Sequence, residues 1–144
     1  MNSQNEKHSI VLISCVKSKR AVPSKARELY TSPLFKKMMN YALSLEPKEI
    51  FILSALHGLL ELDTVISPYE KTLNNMKVKD RKEWSDKVLA SLENRCDLQR
   101  DEFVLLAGRK YSEFIAPNLV HVSQPMDSLS QGRRLKWLNE RCHV

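Results

Sequence analysis

Short, wholly apolar runs punctuate this chain at Ile10 to Ile13, Ile50 to Leu53 and Phe103 to Leu106. Runs this brief, with no polar alternation, fit strands covered on both faces, as in a parallel sheet. Helical spacing takes over between them. Leu34, Phe35, Met38, Met39, Ala42 and Leu43 make one apolar stripe. Ser32 or Thr31 caps it, Pro33 suits its first position, and Glu46-Pro47 ends it. A second helix is predicted from about Val78 to Glu93, burying Trp84, Val88, Leu89 and Leu92. A short helix is predicted over Tyr111 to Ala116 and a fourth strand over Leu119 to Ser123. A last helix from about Ser130 to Arg141 buries Leu135 and Leu138, with Trp137 at its edge. The stretch Leu59 to Met76, with Pro68 and Asn74-Asn75, reads as an ordered loop.

Such alternation predicts an α/β fold: three layers, with a mainly parallel four-stranded sheet and helices on both faces. Residues 1–8 read as a frayed amino terminus and residues 9–144 as a single domain. The 144 residues are 42% hydrophobic and 28% charged, typical of a soluble globular chain. No apolar stretch approaches the roughly 20 residues of a membrane helix, and Met1 to Lys7 carries no signal-peptide core. The expectation is a cytoplasmic protein without a membrane partner.

Cys15, Cys96 and Cys142 are odd in number and widely spaced, and the histidines are scattered at 8, 57, 121 and 143. That pattern predicts no disulfide framework, no metal site and no cofactor. The net charge is +6, and Lys17, Lys19, Arg20, Lys25 and Arg27 follow the first strand closely. A basic balance of this kind favours an anionic partner, a nucleotide or a nucleic acid, DNA or RNA.

In open α/β sheets, ligands bind beyond the carboxyl ends of the strands. Two of the three glycines, Gly58 and Gly108, sit at such exits. The exits contribute Ser14, Cys15, Lys17 and Lys19; Ser54 and His57; Gly108, Arg109 and Tyr111; and, after the fourth strand, Ser123, Gln124 and Pro125. The loop after His57 adds Asp63, Tyr69, Glu70 and Lys71. His57 is the leading catalytic candidate, because an imidazole exchanges protons near neutral pH or donates to developing negative charge. Asp63 is the second, as a carboxylate to orient water or stabilise a sugar cation. Lys17, Lys19 and Arg109 suit phosphate, Gly108 permits close backbone approach, and Tyr69 and Tyr111 offer rings to a base. Ser14, Cys15, Ser54 and Lys71 complete the expected substrate contacts. Neither a P-loop, a Gly-x-Gly-x-x-Gly fingerprint nor a Gly-x-Ser-x-Gly elbow is present, which argues against NTPases, dinucleotide enzymes and nucleophile-elbow hydrolases.

Several segments together resemble the family known as domain of unknown function 6884. They are Ser14-Cys15-Val16-Lys17-Ser18-Lys19, Ala26 to Phe35, Leu53-Ser54-Ala55-Leu56-His57-Gly58-Leu59-Leu60, Ser67 to Leu73 and Pro125 to Leu138. That resemblance implies a mostly bacterial and phage-borne family and supplies no catalytic residues. More distantly the chain resembles the uracil-DNA-glycosylase-like and peroxide-stress group, which implies nucleobase chemistry. It lacks the Gly-x-Asp-Pro-Tyr and His-Pro-Ser-Pro segments of true uracil-DNA glycosylases. The expected function is therefore nucleotide or nucleic-acid binding, with hydrolysis of a nucleobase N-glycosidic bond. The alternatives are a non-catalytic nucleic-acid-binding module and a nucleotide sensor in a phage or defence setting.

Overall fold

The structure is a computed structural model and describes residues 9–14 and 19–141. The amino terminus and the expected contributions of Cys15 and Lys17 lie outside the described residues, as do Cys142 and His143.

Strand β1 (Ile10–Ser14) is buried at every position and lies between two parallel neighbours, β3 (Glu49–Ser54) and β6 (Glu102–Leu106). A strand with sheet on both sides and helices above it meets no water, so no polar alternation is needed. The register sets Ile10 opposite both Glu49 and Phe103, and Ile13 opposite Ile52 and Leu106. Strand β7 (His121–Ser123) continues the parallel order beside β6. A small second sheet pairs β2 (Ser24–Lys25) with β5 (Val65–Ile66).

Among the described residues the main sheet has five strands, in the order β4-β3-β1-β6-β7, where four were expected. The addition is β4 (Gly58–Glu61), antiparallel to β3 and drawn from the segment read as loop. Ser54 faces Gly58, so Ala55, Leu56 and His57 form a three-residue turn, closed by Gly58 at φ 72°. Glycine adopts such a left-handed conformation without strain. The rest of the expected loop also carries structure: β5, and a 3-10 turn at Leu73–Asn75 capped by the Thr72 hydroxyl, which accepts from Asn74 N at 3.2 Å.

Helix α1 (Ala26–Leu29) is a single turn, and α2 (Pro33–Ser44) begins as the sequence predicts, with Ser32 Oγ accepting from Phe35 N at 3.1 Å. Leu34, Phe35, Met38, Met39 and Ala42 are buried; Leu43, expected in the stripe, is half exposed because it falls off the packed face. Helix α3 (Val78–Glu93) packs on β4 and buries Trp84, Val88, Leu89 and Leu92. The predicted short helix divides into α4 (Arg109–Ser112) and a 3-10 turn at Ala116–Asn118, with Pro117 inside that turn. Helix α5 (Gln131–Arg141) packs on α2, where Trp137 meets Tyr41 edge-on at 5.0 Å. Leu138 is buried, whereas Leu135 is only partly so. No helix among the described residues is long and apolar enough to cross a membrane.

Candidate functional site

Because β1, β3, β6 and β7 run parallel, their carboxyl ends share one rim. A cleft of about 880 Å³ opens there. Ser14 from β1, Lys19, Gly108, Arg109 and Tyr111 after β6, and Tyr69 and Lys71 line it; all seven are expected contacts. Glu70, Asn74, Lys110, Gln131 and Arg134 line it too, over apolar Leu34 and Met38 from α2.

Hydrogen bonds that cross between elements fix the floor. Ser14 Oγ accepts from Gly108 N at 3.3 Å, tying the exit of β1 to that of β6. Gly108 itself is extended (φ −67°, ψ 158°), so its backbone does not require glycine. A Cβ built there would meet Arg134 Nη1 at 3.9 Å, which puts that guanidinium directly over the Gly108 corner. Arg134 is aimed by its own Nε, which donates to the Leu129 carbonyl at 3.0 Å.

One wall is clamped from behind. Lys110 Nζ donates to the Asn74 carbonyl at 3.1 Å, and Leu73 N donates to Tyr111 Oη at 3.5 Å. Arg81, nearly buried in α3, donates to the Met76 carbonyl at 2.6 Å and pairs through Nε with Glu113 at 2.9 Å. Tyr111 is buried and packs edge-on against Trp84 at 5.6 Å, so it braces the wall and offers no open ring face for stacking.

The opposite side is a hydroxyl chain. Tyr69 Oη lies 2.6 Å from Tyr30 Oη and 2.7 Å from Ser54 Oγ, and Ser54 Oγ accepts from His57 N at 3.0 Å. Trp84 Nε1 donates to the Ser54 carbonyl at 2.9 Å. Lys19 Nζ lies 4.6 Å from the centre of the Tyr69 ring and 5.7 Å from that of Tyr30, within cation–π range. Ser54 is thus an interior brace for Tyr69. His57 is exposed and meets Tyr69 edge-on at 5.6 Å, one ring away from the cleft lining.

Asp63 does not join this site. Strand β4 returns the chain toward the amino end of β3, and Asp63 there pairs with Arg27 at 2.9 Å with 65% of its side chain exposed. Ser123, Gln124 and Pro125 are likewise absent from the cleft lining. The sequence reasoning passed over Arg134, Lys110 and Tyr30 as site residues. Lys110 was discoverable as the neighbour of Arg109, and Arg134 and Tyr30 sit inside segments that carried the family resemblance.

Charge is distributed unevenly along this rim. Among the described residues, five cations line the cleft, Lys19, Lys71, Arg109, Lys110 and Arg134, against one carboxylate, Glu70. Among the described residues, Lys71 and Arg109 make no side-chain hydrogen bond or ion pair, and Lys110 and Arg134 donate to neutral carbonyls. Cations held this way keep their field for an incoming anion.

No curated protein and no solved structure matches the chain. A family model does: the one described as "Family of unknown function (DUF6884)" matches residues 10–140, nearly the whole length, and the chain belongs to that family.

Proposed function

We propose that this protein binds a nucleotide, free or within a nucleic acid, in the cleft at the carboxyl rim of its sheet, and that it works in the cytoplasm. The observation that carries this reading is a set of lining cations, Lys71, Arg109, Lys110 and Arg134, that pair with no carboxylate among the described residues, beside an aromatic wall. Arg109 and Arg134 present planar forks suited to phosphate oxygens. Tyr69, braced by Tyr30 and Ser54, offers a ring edge or face to a base. We propose three layers as well: the steps from β1 to β3 and from β3 to β6 run in opposite directions across the sheet, and right-handed crossovers would send α2 and α3 to opposite faces.

Equilibrium titration with fluorescent mononucleotides and with labelled 12-residue DNA and RNA strands tests it. Binding that weakens with salt and with Arg109→Ala is expected. No binding to any of them removes the proposal.

Hydrolysis of an N-glycosidic bond is the second reading, favoured by Glu70 as a carboxylate lining the cleft. In that reaction a water oxygen joins the anomeric carbon as the C–N bond breaks. The base leaves with the bonding electrons and takes up a proton. Glu70, in place of the distant Asp63, would orient the water and stabilise the sugar cation, with His57 near the departing base. Base release measured by chromatography, abolished in Glu70→Gln, is the expected result; no release from any nucleotide leaves a binding module or sensor.

A further inference from the structure

We infer that the ligand is a free nucleoside polyphosphate, a di- or triphosphate, and not a segment of polymer. This rests on the nucleotide reading above and narrows it. A cleft of about 880 Å³ is the size of a small-molecule site, and among the described residues its lining carries four more cations than carboxylates. A nucleic-acid strand brings one charge per nucleotide, so the short stretch that fits such a space supplies about one or two. A nucleoside di- or triphosphate brings about three or four, because each bridging phosphate adds one and the terminal group carries up to about two. Only the polyphosphate matches the charge to the volume.

The floor shows where its oxygens go. Ser14 is 6% exposed, and its hydroxyl oxygen already accepts from Gly108 N. Among the described residues the hydroxyl proton has no acceptor, so the cleft floor presents a buried donor. Arg134 stands over the same corner, pinned by its bond to Leu129. A phosphate oxygen accepting from Ser14 and Arg134 satisfies both. Arg109, Lys110 and Lys71 then face the remaining phosphates. Glu70 also lines the cleft: a carboxylate among these cations calls for a hydrogen-bond donor on the ligand, such as a sugar hydroxyl or a base amino group, which inorganic polyphosphate lacks.

The test is calorimetric titration of the full chain with ATP, GTP, CTP and UTP, their monophosphates, tripolyphosphate, and a 12-residue single strand of DNA and of RNA. At least one triphosphate should bind ten or more times tighter than its own monophosphate and tighter than tripolyphosphate or either strand. Ser14→Ala and Arg134→Gln should each shrink the triphosphate-to-monophosphate ratio, with folding checked by circular dichroism. Equal affinity for mono- and triphosphate, or tighter binding of a strand, overturns this inference and leaves nucleotide binding intact. Tripolyphosphate binding as tightly as any nucleotide overturns the nucleoside half. Silence across the whole panel removes both.

Discussion

Two hollows of nearly equal size sit at opposite rims of the sheet, about 880 Å³ at the carboxyl rim and about 850 Å³ at the amino rim. Their linings differ in one respect. The amino-rim hollow carries Lys48, Arg95 and Arg100 against Glu93, Asp97 and Asp101. Arg95 pairs with Glu61 at 2.7 Å and reaches Glu49 at 3.9 Å, and Lys48 reaches Asp101 at 4.0 Å. Asp97 accepts from the backbone of Gln99 and Arg100, so its charge goes into shaping its own loop. At the carboxyl rim Lys110 and Arg134 find neutral carbonyls instead, and Lys71 and Arg109 make no side-chain hydrogen bond or ion pair among the described residues. Volume alone would rank the two hollows as equals. What separates them is whether the protein has already answered its own charges.

The largest expected effect concerns the ion pair that stiffens the cleft wall. Arg81 keeps 11% of its side chain in solvent and Glu113 25%, whereas the amino-rim pair Arg27–Asp63 keeps 39% and 65%. Arg81→Met should cost about 2–3 kcal/mol in urea unfolding, because it strands a half-buried carboxylate and the Met76 carbonyl. Arg27→Met should cost about 1 kcal/mol or less, as exposed pairs do. Equal losses would mean that the two rims are built alike.

Next in size is ligand affinity. Arg109→Ala should weaken nucleotide binding about tenfold or more, the scale of one lost charged hydrogen bond. Arg95→Ala, which removes a cation of the other rim, should leave binding unchanged. A matching loss in both would reduce the cleft to one part of a general surface field.

The smallest effect sharpens the amino rim. Burial, with Asp101 nearby, pushes the Cys96 thiol up to about 11 from an ordinary 9.0. A folded-state value raised in this way favours the neutral thiol. Its contribution is fully present below about pH 9 and is lost as pH rises toward 11. Cys96→Ser should therefore flatten the stability-against-pH curve in that window alone, and alkylation of Cys96 should stay slow at neutral pH.

How much of this was legible follows from where each instruction resides in the chain. The start of β1 at Ile10 and the extent of α3, read as about Val78 to Glu93, were legible, because an unbroken apolar run and a helical stripe are local facts. The start of α2 was legible for the same reason, from a serine cap followed by proline. The hairpin was not. It depends on a three-residue turn ending at Gly58, with no Asn-Gly or Asp-Gly pair to announce it, and Leu59-Leu60 does not alternate with polar positions. That one omission also misplaced Asp63: six residues after His57 it looked like a neighbour, but β4 carries it back along the sheet. Arg134 was hidden for the opposite reason, since it reaches Gly108 only through the packing of α5 against α2.

The central position of β1 has a kinetic consequence. Residue 10 is hydrogen-bonded into a ladder with the strands holding residues 49 and 103, so β1 is completed only once a strand some ninety residues later has been made. Until β6 has been made, one edge of β1 stays open, its unpaired backbone groups a ready template for another chain. Long-range pairing of this kind slows folding and lengthens the time in which aggregation competes with it.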